Sequence, residues 1–477
     1  RRSITTMACT TILVGKNASY NGSTMISRND DSGSGTFTPK RLKYVFPQEQ
    51  PNPYHSVHSN IDIPMPKNPL GYTAVPNADI AKNGIWAAGG INEKNVGMTA
   101  TETITTNVRV LGGDPLVANG IGEEDLVVLV LPYISTAREG VERLGKLLEE
   151  YGTYESNGVA FNDHDEVWYM ETIGGHHWIA RRLPDDSYSV IANQFSLDQF
   201  DLEDALSAKK DYMASADILT FIEENNLDLN RRGHFNARDA FGSHTPTDHI
   251  YNTPRVWYGQ RYFNPNSENW NEISPESDNL PWCREPEELI TVSDIKAVLS
   301  SNYEGTPYDP YTNALQAGIY RPIGINRTSF SQLIEIRNES VSELAAGVFW
   351  FGFASNAYNA FTPQYASAQY FSPYFSTTPE NVSTESFYWT SRVISAMADP
   401  DHKACLNLLD RYRLNVGAKS RNIMKKTEAG QNLTKEDLAK ANQEISDAVQ
   451  KETNALLGQV LYISSMSMTN RFSLSDN

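Results

Sequence analysis

A cysteine close to the start of the chain, Cys9, stands directly ahead of the β-branched run Thr10-Thr11-Ile12, and a short way on comes Arg28-Asn29-Asp30-Asp31. As the first residue of a shortened chain, Cys9 would combine two catalytic groups: its Sγ as nucleophile and its own α-amine, of unperturbed pKa about 8, as general base. A guanidinium near the sulfur favours the thiolate, and a carboxylate orients the amine. Arg28 and the acidic residues behind it supply both. A plainer reading uses the same residues, with Cys9 as a small buried hydrophobe and Arg28 and Asp31 as turn charges. Residue types alone leave the two readings open. Arg1 to Ala8 carry two arginines and no apolar stretch, so residues 1–8 read as a leader or propeptide.

Other chemistries find less support. His164, His176 and His177 lie close together among carboxylates, but no His-Glu-x-x-His spacing is present, and adjacent strand residues point to opposite faces. No shared metal is expected, no cofactor is called for, and His176 and His177 read as surface and packing residues. Neither a Cys-Gly-Ser-Cys-Trp context nor a Gly-x-Ser-x-Gly elbow occurs.

With 58 acidic against 40 basic side chains in 477 residues, the formal charge is −18, a field that repels phosphate backbones and anionic lipid. Nucleic acid is therefore not an expected partner. The longest apolar run, Leu126 to Pro132, falls far short of the roughly 18 to 20 residues of a membrane-spanning helix, so no membrane partner is expected either. Cys9, Cys283 and Cys405 are too few and too far apart for a disulfide framework, which fits a reducing, cytoplasmic setting.

The elements that must position Cys9 and Arg28 begin with a β-hairpin. Thr10 to Val14 and Ser23 to Arg28 read as its strands, with Asn21-Gly22 at the turn. A tight loop would set Arg28 opposite Gly15, and a longer one opposite Cys9. The sequence does not choose. Thr36 to Asn83 reads as an irregular segment, and Gly89 to Asn95 as a turn between two strand-like runs. Helices are expected from Glu123 and over Thr136 to Tyr151, an antiparallel meander from Gly158 to Asn193, and strands at Leu333 to Ile336 and Gly347 to Ala354. From Thr434 the apolar positions Leu438, Ala441, Ile445, Ala448, Val449, Leu456 and Val460 keep helical spacing. The fold class is α+β, with antiparallel sheets and helices layered outside.

Cys9-Thr10-Thr11-Ile12 followed by Arg28-x-x-Asp31 resembles the opening of the N-terminal-nucleophile cysteine dipeptidases, and more distantly of the choloylglycine hydrolases and penicillin V acylases. The likeness continues through Gly90-Ile91-Asn92-Glu93-Lys94, Glu166 to Glu171, Gly174 to Trp178 and Ala192-Asn193-Gln194. It then runs through Thr253-Pro254-Arg255-Val256-Trp257 and Glu304 to Asp309. The resemblance implies an Ntn-hydrolase αββα sandwich over residues 9–390, with a helical C-terminal extension over 391–477 packed on it. It implies Cys9 as nucleophile, exposed by self-cleavage at Ala8-Cys9, with Arg28 near its sulfur and Asp31 holding the new α-amine. Asn92 and Asn193 would donate to the oxyanion, a contribution typically of about 3 kcal/mol per donor, and Arg255 would be a second site arginine. Asn92 also reads as a turn residue, Asn193 as a buried amide serving backbone groups, and Arg255 as a surface charge. The implied substrate is a dipeptide, hydrolysed through a thioester. Alternatives are an amide acylase of the same fold, or an unprocessed binding protein; a homo-oligomer is compatible with the sequence and not specified by it.

Overall fold

The computed structural model describes residues 9–33 and 35–469, so the expected leader, residues 1–8, lies outside the described part. Two antiparallel sheets form its centre. The six-stranded sheet runs in the order Tyr188–Ile191, Thr10–Val14, Thr24–Asp31, Thr328–Ile336, Gly347–Phe353, Thr362–Tyr365. The eight-stranded sheet runs Tyr212–Ala214, His177–Arg182, Val167–Ile173, Asn157–Asn162, Gly97–Thr103, Ala87–Asn92, Tyr72–Pro76, Lys43–Val45.

The sheets lie face to face and are tied by polar groups as well as by apolar packing. Asn162 Nδ2 donates across the gap to the carbonyls of Thr24 and Ile334, each at 3.3 Å, and Gln332 Nε2 donates to Ala88 O at 3.0 Å. With both faces covered, every residue of Thr24–Asp31 is buried. Helices Glu123–Val130 and Ala137–Tyr151 cover the outer face of the eight-stranded sheet, where Val127, Leu144 and Leu148 join Met98, Phe161 and Trp168. Thr253–Phe263, Val292–Leu299 and the C-terminal helices Phe387–Ala398, His402–Glu428 and Lys435–Met466 cover the other sheet. This is the four-layer αββα arrangement that the resemblance implies.

Several expected elements appear where their chemistry places them. Thr136 Oγ1 accepts from Glu139 N at the head of Ala137–Tyr151, and Gly152 ends that helix at φ 69°. In Lys435–Met466 the side chains of Leu438, Ala441, Ile445, Val449, Leu456 and Val460 are buried, while Ala448 is only half-buried. The helix also protects the sheet edge. Asn442 Oδ1 accepts from Tyr365 N at 2.8 Å and its Nδ2 donates to Tyr365 O at 3.1 Å, replacing the missing neighbour strand.

Three expectations are corrected. Residues Thr36 to Asn83 are not merely irregular, because Lys43–Val45 and Tyr72–Pro76 extend the eight-stranded sheet to its edge. These strands are short, and the Pro-rich chain between them hides their alternation. Gly89-Gly90-Ile91-Asn92 belongs to a strand, not a turn; the turn follows at Glu93 to Val96, with Asn95 at φ 55°. The glycines answer to close packing, since a Cβ on Gly89 would lie 2.2 Å from Gln332 Nε2 and one on Gly90 2.5 Å from Thr73 O. Finally, the meander from Gly158 to Asn193 does not stay in one sheet. Its last strand, Tyr188–Ile191, crosses to the other sheet and pairs Ile191 with Thr11. That crossing delivers Asn193 to the first strand of the chain.

Among the described residues, no helix is long and apolar enough to cross a membrane. Helix Ala137–Tyr151 meets its sheet so closely at Gly145 that a Cβ there would lie 2.4 Å from the buried Trp178 ring. Gly145→Val is therefore expected to destabilise the protein by about 1–3 kcal/mol, read as a lower midpoint in urea denaturation.

Candidate active site

The hairpin register sets the first contact. Thr11 pairs with Arg28 and Thr10 with Asn29, so Arg28 lies opposite neither Gly15 nor Cys9. The register differs by two residues from the longer-loop expectation, and an even shift keeps Arg28 on the same face as Cys9. The loop is long because Gly15 N donates to Ser187 O at 2.9 Å and Asn17 N to Asp185 O at 2.8 Å, so the chain leaves strand pairing to dock on that turn. Arg28 is 1% exposed. Its Nη2 lies 2.7 Å from Cys9 Sγ, and its Nη1 donates to Ala88 O at 3.4 Å, the carbonyl that Gln332 also uses.

The backbone of Cys9 is gripped separately. Cys9 N donates to Asn193 Oδ1 at 3.1 Å, and Cys9 O accepts from Arg255 Nη1. Arg255 is no surface charge: it is 0% exposed, in the first turn of Thr253–Phe263. Its Nη1 also donates to Thr10 Oγ1 at 2.8 Å, its Nη2 to Asn193 Oδ1 at 2.9 Å and Asn252 Oδ1 at 2.6 Å, and its Nε to Tyr251 O at 2.9 Å. All five guanidinium N–H groups thus have oxygen partners, as a buried guanidinium requires. Asn193 Nδ2 donates to Thr103 O at 3.1 Å.

Asp31 is buried at the end of the same strand as Arg28, on the opposite side of it. Its Oδ1 accepts from Thr328 Oγ1 at 2.5 Å, and its Oδ2 pairs with Arg321. Its carboxylate is thus anchored close to the strand end where Cys9 begins. Asn92 is not brought to this cluster. Both its amide donors are spent on backbone carbonyls, Leu131 O at 2.9 Å and Ile134 O at 2.8 Å, and its Oδ1 accepts from Lys94 N and Val96 N. It organises the turn after its strand, and only the head of that strand, through Ala88 O, reaches Arg28. Sequence reasoning missed Asn252, Arg321 and Thr10; each is an ordinary turn, surface or strand residue by type, and none carries a spacing signal.

Cys283 and Cys405 do not share these surroundings, and burial pushes both thiols above the usual range. The expectation that the His176 and His177 rings point to opposite faces is corrected, while their reading as surface and packing residues fits a half-exposed His176 side chain and a His177 ring stacked on Phe221. His176 lies in the turn before the strand, so the two rings are not on opposite faces; both Nδ1 atoms meet the Asp114 carboxylate, at 2.9 and 2.7 Å. Burial works to raise the Asp114 carboxyl, but hydrogen bonds from His177 and His176 outweigh it and hold it down at about 2.

The family model described as peptidase family C69 matches residues 8–415. The chain belongs to peptidase family C69. It is 52% identical over 478 residues to "Probable dipeptidase A" of Streptococcus pyogenes serotype M3 (strain SSI-1), covering 98% of this chain and 100% of that protein. It is 45% identical over 534 residues to "Dipeptidase" of Bifidobacterium longum (strain NCC 2705), covering 98% and 100%. Likeness to a solved conjugated bile acid hydrolase from Clostridium perfringens is distant, at 11% identity and a TM-score of 0.29 over 78% of this chain and 99% of that one.

In this C69 peptidase the segment bearing Asn193 is held from below by Glu171. Its Oε1 accepts from Ser196 N at 2.7 Å, Ser196 Oγ at 3.0 Å and Leu197 N at 3.3 Å. Burial pushes the Glu171 carboxyl up to about 7, although the Ser196 and Leu197 bonds pull the other way. The unfolded chain ionises this group near its ordinary value of 4.5, so its stabilising contribution is full below that pH and is lost as pH rises through about 7. Glu171→Gln is accordingly expected to flatten the fall in thermal midpoint between pH 5 and 8. A wild-type slope in that variant would refute the assignment.

Proposed function

We propose that the chain is a cysteine dipeptidase whose nucleophile is Cys9, made N-terminal by self-cleavage of the Ala8-Cys9 bond. The observation that carries this reading is that three atoms of one residue are held by three different side chains. Cys9 N is on Asn193, Cys9 O on Arg255 and Cys9 Sγ on Arg28. The backbone N–H and C=O of any buried residue need partners, but a thiol that only filled space would have no use for a buried guanidinium at its sulfur. The relatives' printed names supply the substrate class, a dipeptide.

In this reading the Cys9 thiolate, stabilised by the Arg28 guanidinium, attacks the scissile carbonyl. The α-amine takes the thiol proton and passes it to the leaving amino acid, and water then hydrolyses the thioester. Asn193 Nδ2 donates to the developing oxyanion, and Arg255 keeps the Cys9 backbone from moving as charge develops. The Asp31 carboxylate, held by Arg321 and Thr328 at the strand end beside Cys9, supplies a negative charge that favours the ammonium form of the amine. Maturation uses the same sulfur: attack on the Ala8 carbonyl, an N-to-S acyl shift, and hydrolysis that frees the Cys9 amine. While the Ala8-Cys9 bond is intact the proposed base is an amide nitrogen, and the enzyme is silent.

N-terminal sequencing of active protein is expected to begin at Cys9, and Cys9→Ala to lose both maturation and dipeptide hydrolysis; dipeptidase activity in that variant would sink the nucleophile assignment. Arg28→Gln is expected to lower kcat by about a hundredfold and to move the acidic limb of the kcat/KM pH profile upward, because the thiolate loses its cation. An unmoved limb would remove Arg28 from this role.

A further inference from the structure

We infer that Asn252 is a positioning residue for this site, acting on Cys9 through Asn193 and Arg255, with Asp248 setting the orientation of its amide. The inference rests on the reading of Cys9 as nucleophile. Asn252 occupies the junction between the short helix Pro246–Tyr251 and Thr253–Phe263, the position of an N-cap, where an Asn side chain ordinarily accepts from the first free N–H groups of its helix. It makes no such bond. Instead the side chain turns toward the sheet and is buried.

There its amide forms a two-point clamp on the backbone of Asn193. Asn252 Oδ1 accepts from Asn193 N and its Nδ2 donates to Asn193 O, both at 3.2 Å, as a neighbouring strand would. The same Oδ1 accepts from Arg255 Nη2 at 2.6 Å, and the same Nδ2 donates to Asp248 Oδ1 at 2.7 Å. All four hydrogen-bonding places of the amide are thus filled. The residue therefore fixes both groups that hold Cys9: the backbone carrying the Asn193 acceptor, and the guanidinium on Cys9 O.

An amide can be inserted either way round, and the wrong way would present N–H groups to Arg255 and an oxygen to Asn193 O. Asp248 decides between them, because an ionised carboxylate only accepts. Its other oxygen is occupied by Ser243 Oγ at 3.0 Å and by Thr245 N and Oγ1 at 3.1 Å each, so the carboxylate is itself immobile. Asn193 lies beyond the end of strand Tyr188–Ile191, and on its backbone the clamp takes the place that a neighbouring strand would have. Small displacements of a group on the reacting residue are costly to turnover and cost binding little.

The test uses the full-length enzyme with alanyl-alanine as substrate and compares wild type, Cys9→Ala, Asn252→Ala, Asn252→Asp and the double variant Asp248→Asn with Asn252→Asp. Asn252→Ala is expected to lower kcat about 30-fold with KM within about threefold, the signature of lost positioning. Asn252→Asp, which sets two carboxylates against each other, is expected to be worse. The double variant restores a donor facing an acceptor between positions 248 and 252 while leaving Asn193 O unmet, and is expected to recover part of the loss relative to Asn252→Asp, about threefold or more. If Asn252→Ala keeps a wild-type kcat while Cys9→Ala is inactive, the positioning role is overturned and the nucleophile stands. Activity in Cys9→Ala overturns both. Should Asn252→Ala fail to fold, the Asp pair decides: no recovery in the double variant overturns the role.

Discussion

The buried guanidinium of Arg255 is the constraint on which the site depends. A cation removed from water must have each donor satisfied, since an unmet buried polar group costs about 1–3 kcal/mol. The partners it finds, Cys9 O, Thr10 Oγ1, Asn193 Oδ1, Asn252 Oδ1 and Tyr251 O, come from three separate parts of the chain. Satisfying one side chain therefore brings together the first strand, the end of the strand Tyr188–Ile191 and the junction of two helices. Arg28 plays the matching part on the other side, where it joins Cys9 Sγ to a carbonyl of the facing sheet.

The layers follow from that requirement. Cys9 and Arg28 face the gap between the sheets, while Asn29, next along the strand, faces outward and donates to Leu299 O at 2.9 Å in the helix layer. The alternation of a strand thus divides neighbouring residues between the site and its support. Asp31 falls on the supporting face, which explains why an arginine and a threonine hold it. The passage of Tyr188–Ile191 from one sheet to the other is the topological step that matters most, because a meander confined to the eight-stranded sheet would leave Asn193 on the wrong side of the sandwich.

Ionisable groups away from Cys9 serve as scaffolding. Glu171 ties down the segment after Asn193, and Asp114 gathers two histidines and two backbone N–H groups at a turn. Both carboxylates work by accepting backbone hydrogen bonds that no strand or helix would meet. The C-terminal helix does the same with an amide, Asn442, at the edge strand.

Much of this was legible in the residues. A thiol near the start of the chain with an arginine on the next strand is a local pattern, and a long hairpin loop that keeps the face brings the two within reach, whereas a tight one would not. Helices such as Ala137–Tyr151 and Lys435–Met466 were legible because capping and 3.6-residue periodicity are also local. The roles proposed for Asn193 and Arg255 could be read only through family resemblance, and that route grouped Asn92 with them although its amide lies in a turn, since an asparagine at a strand end looks alike whether its amide serves a turn or a reacting group. Asn252 was invisible, because its type and place are those of an ordinary helix cap. What the sequence alone determined is the chemistry on offer: a thiol, a guanidinium, carboxylates and the elements that carry them. Tertiary structure decided which amides and which carbonyls close around Cys9, because hydrogen bonds between distant segments depend on how strands cross and sheets face, and no spacing along the chain encodes that.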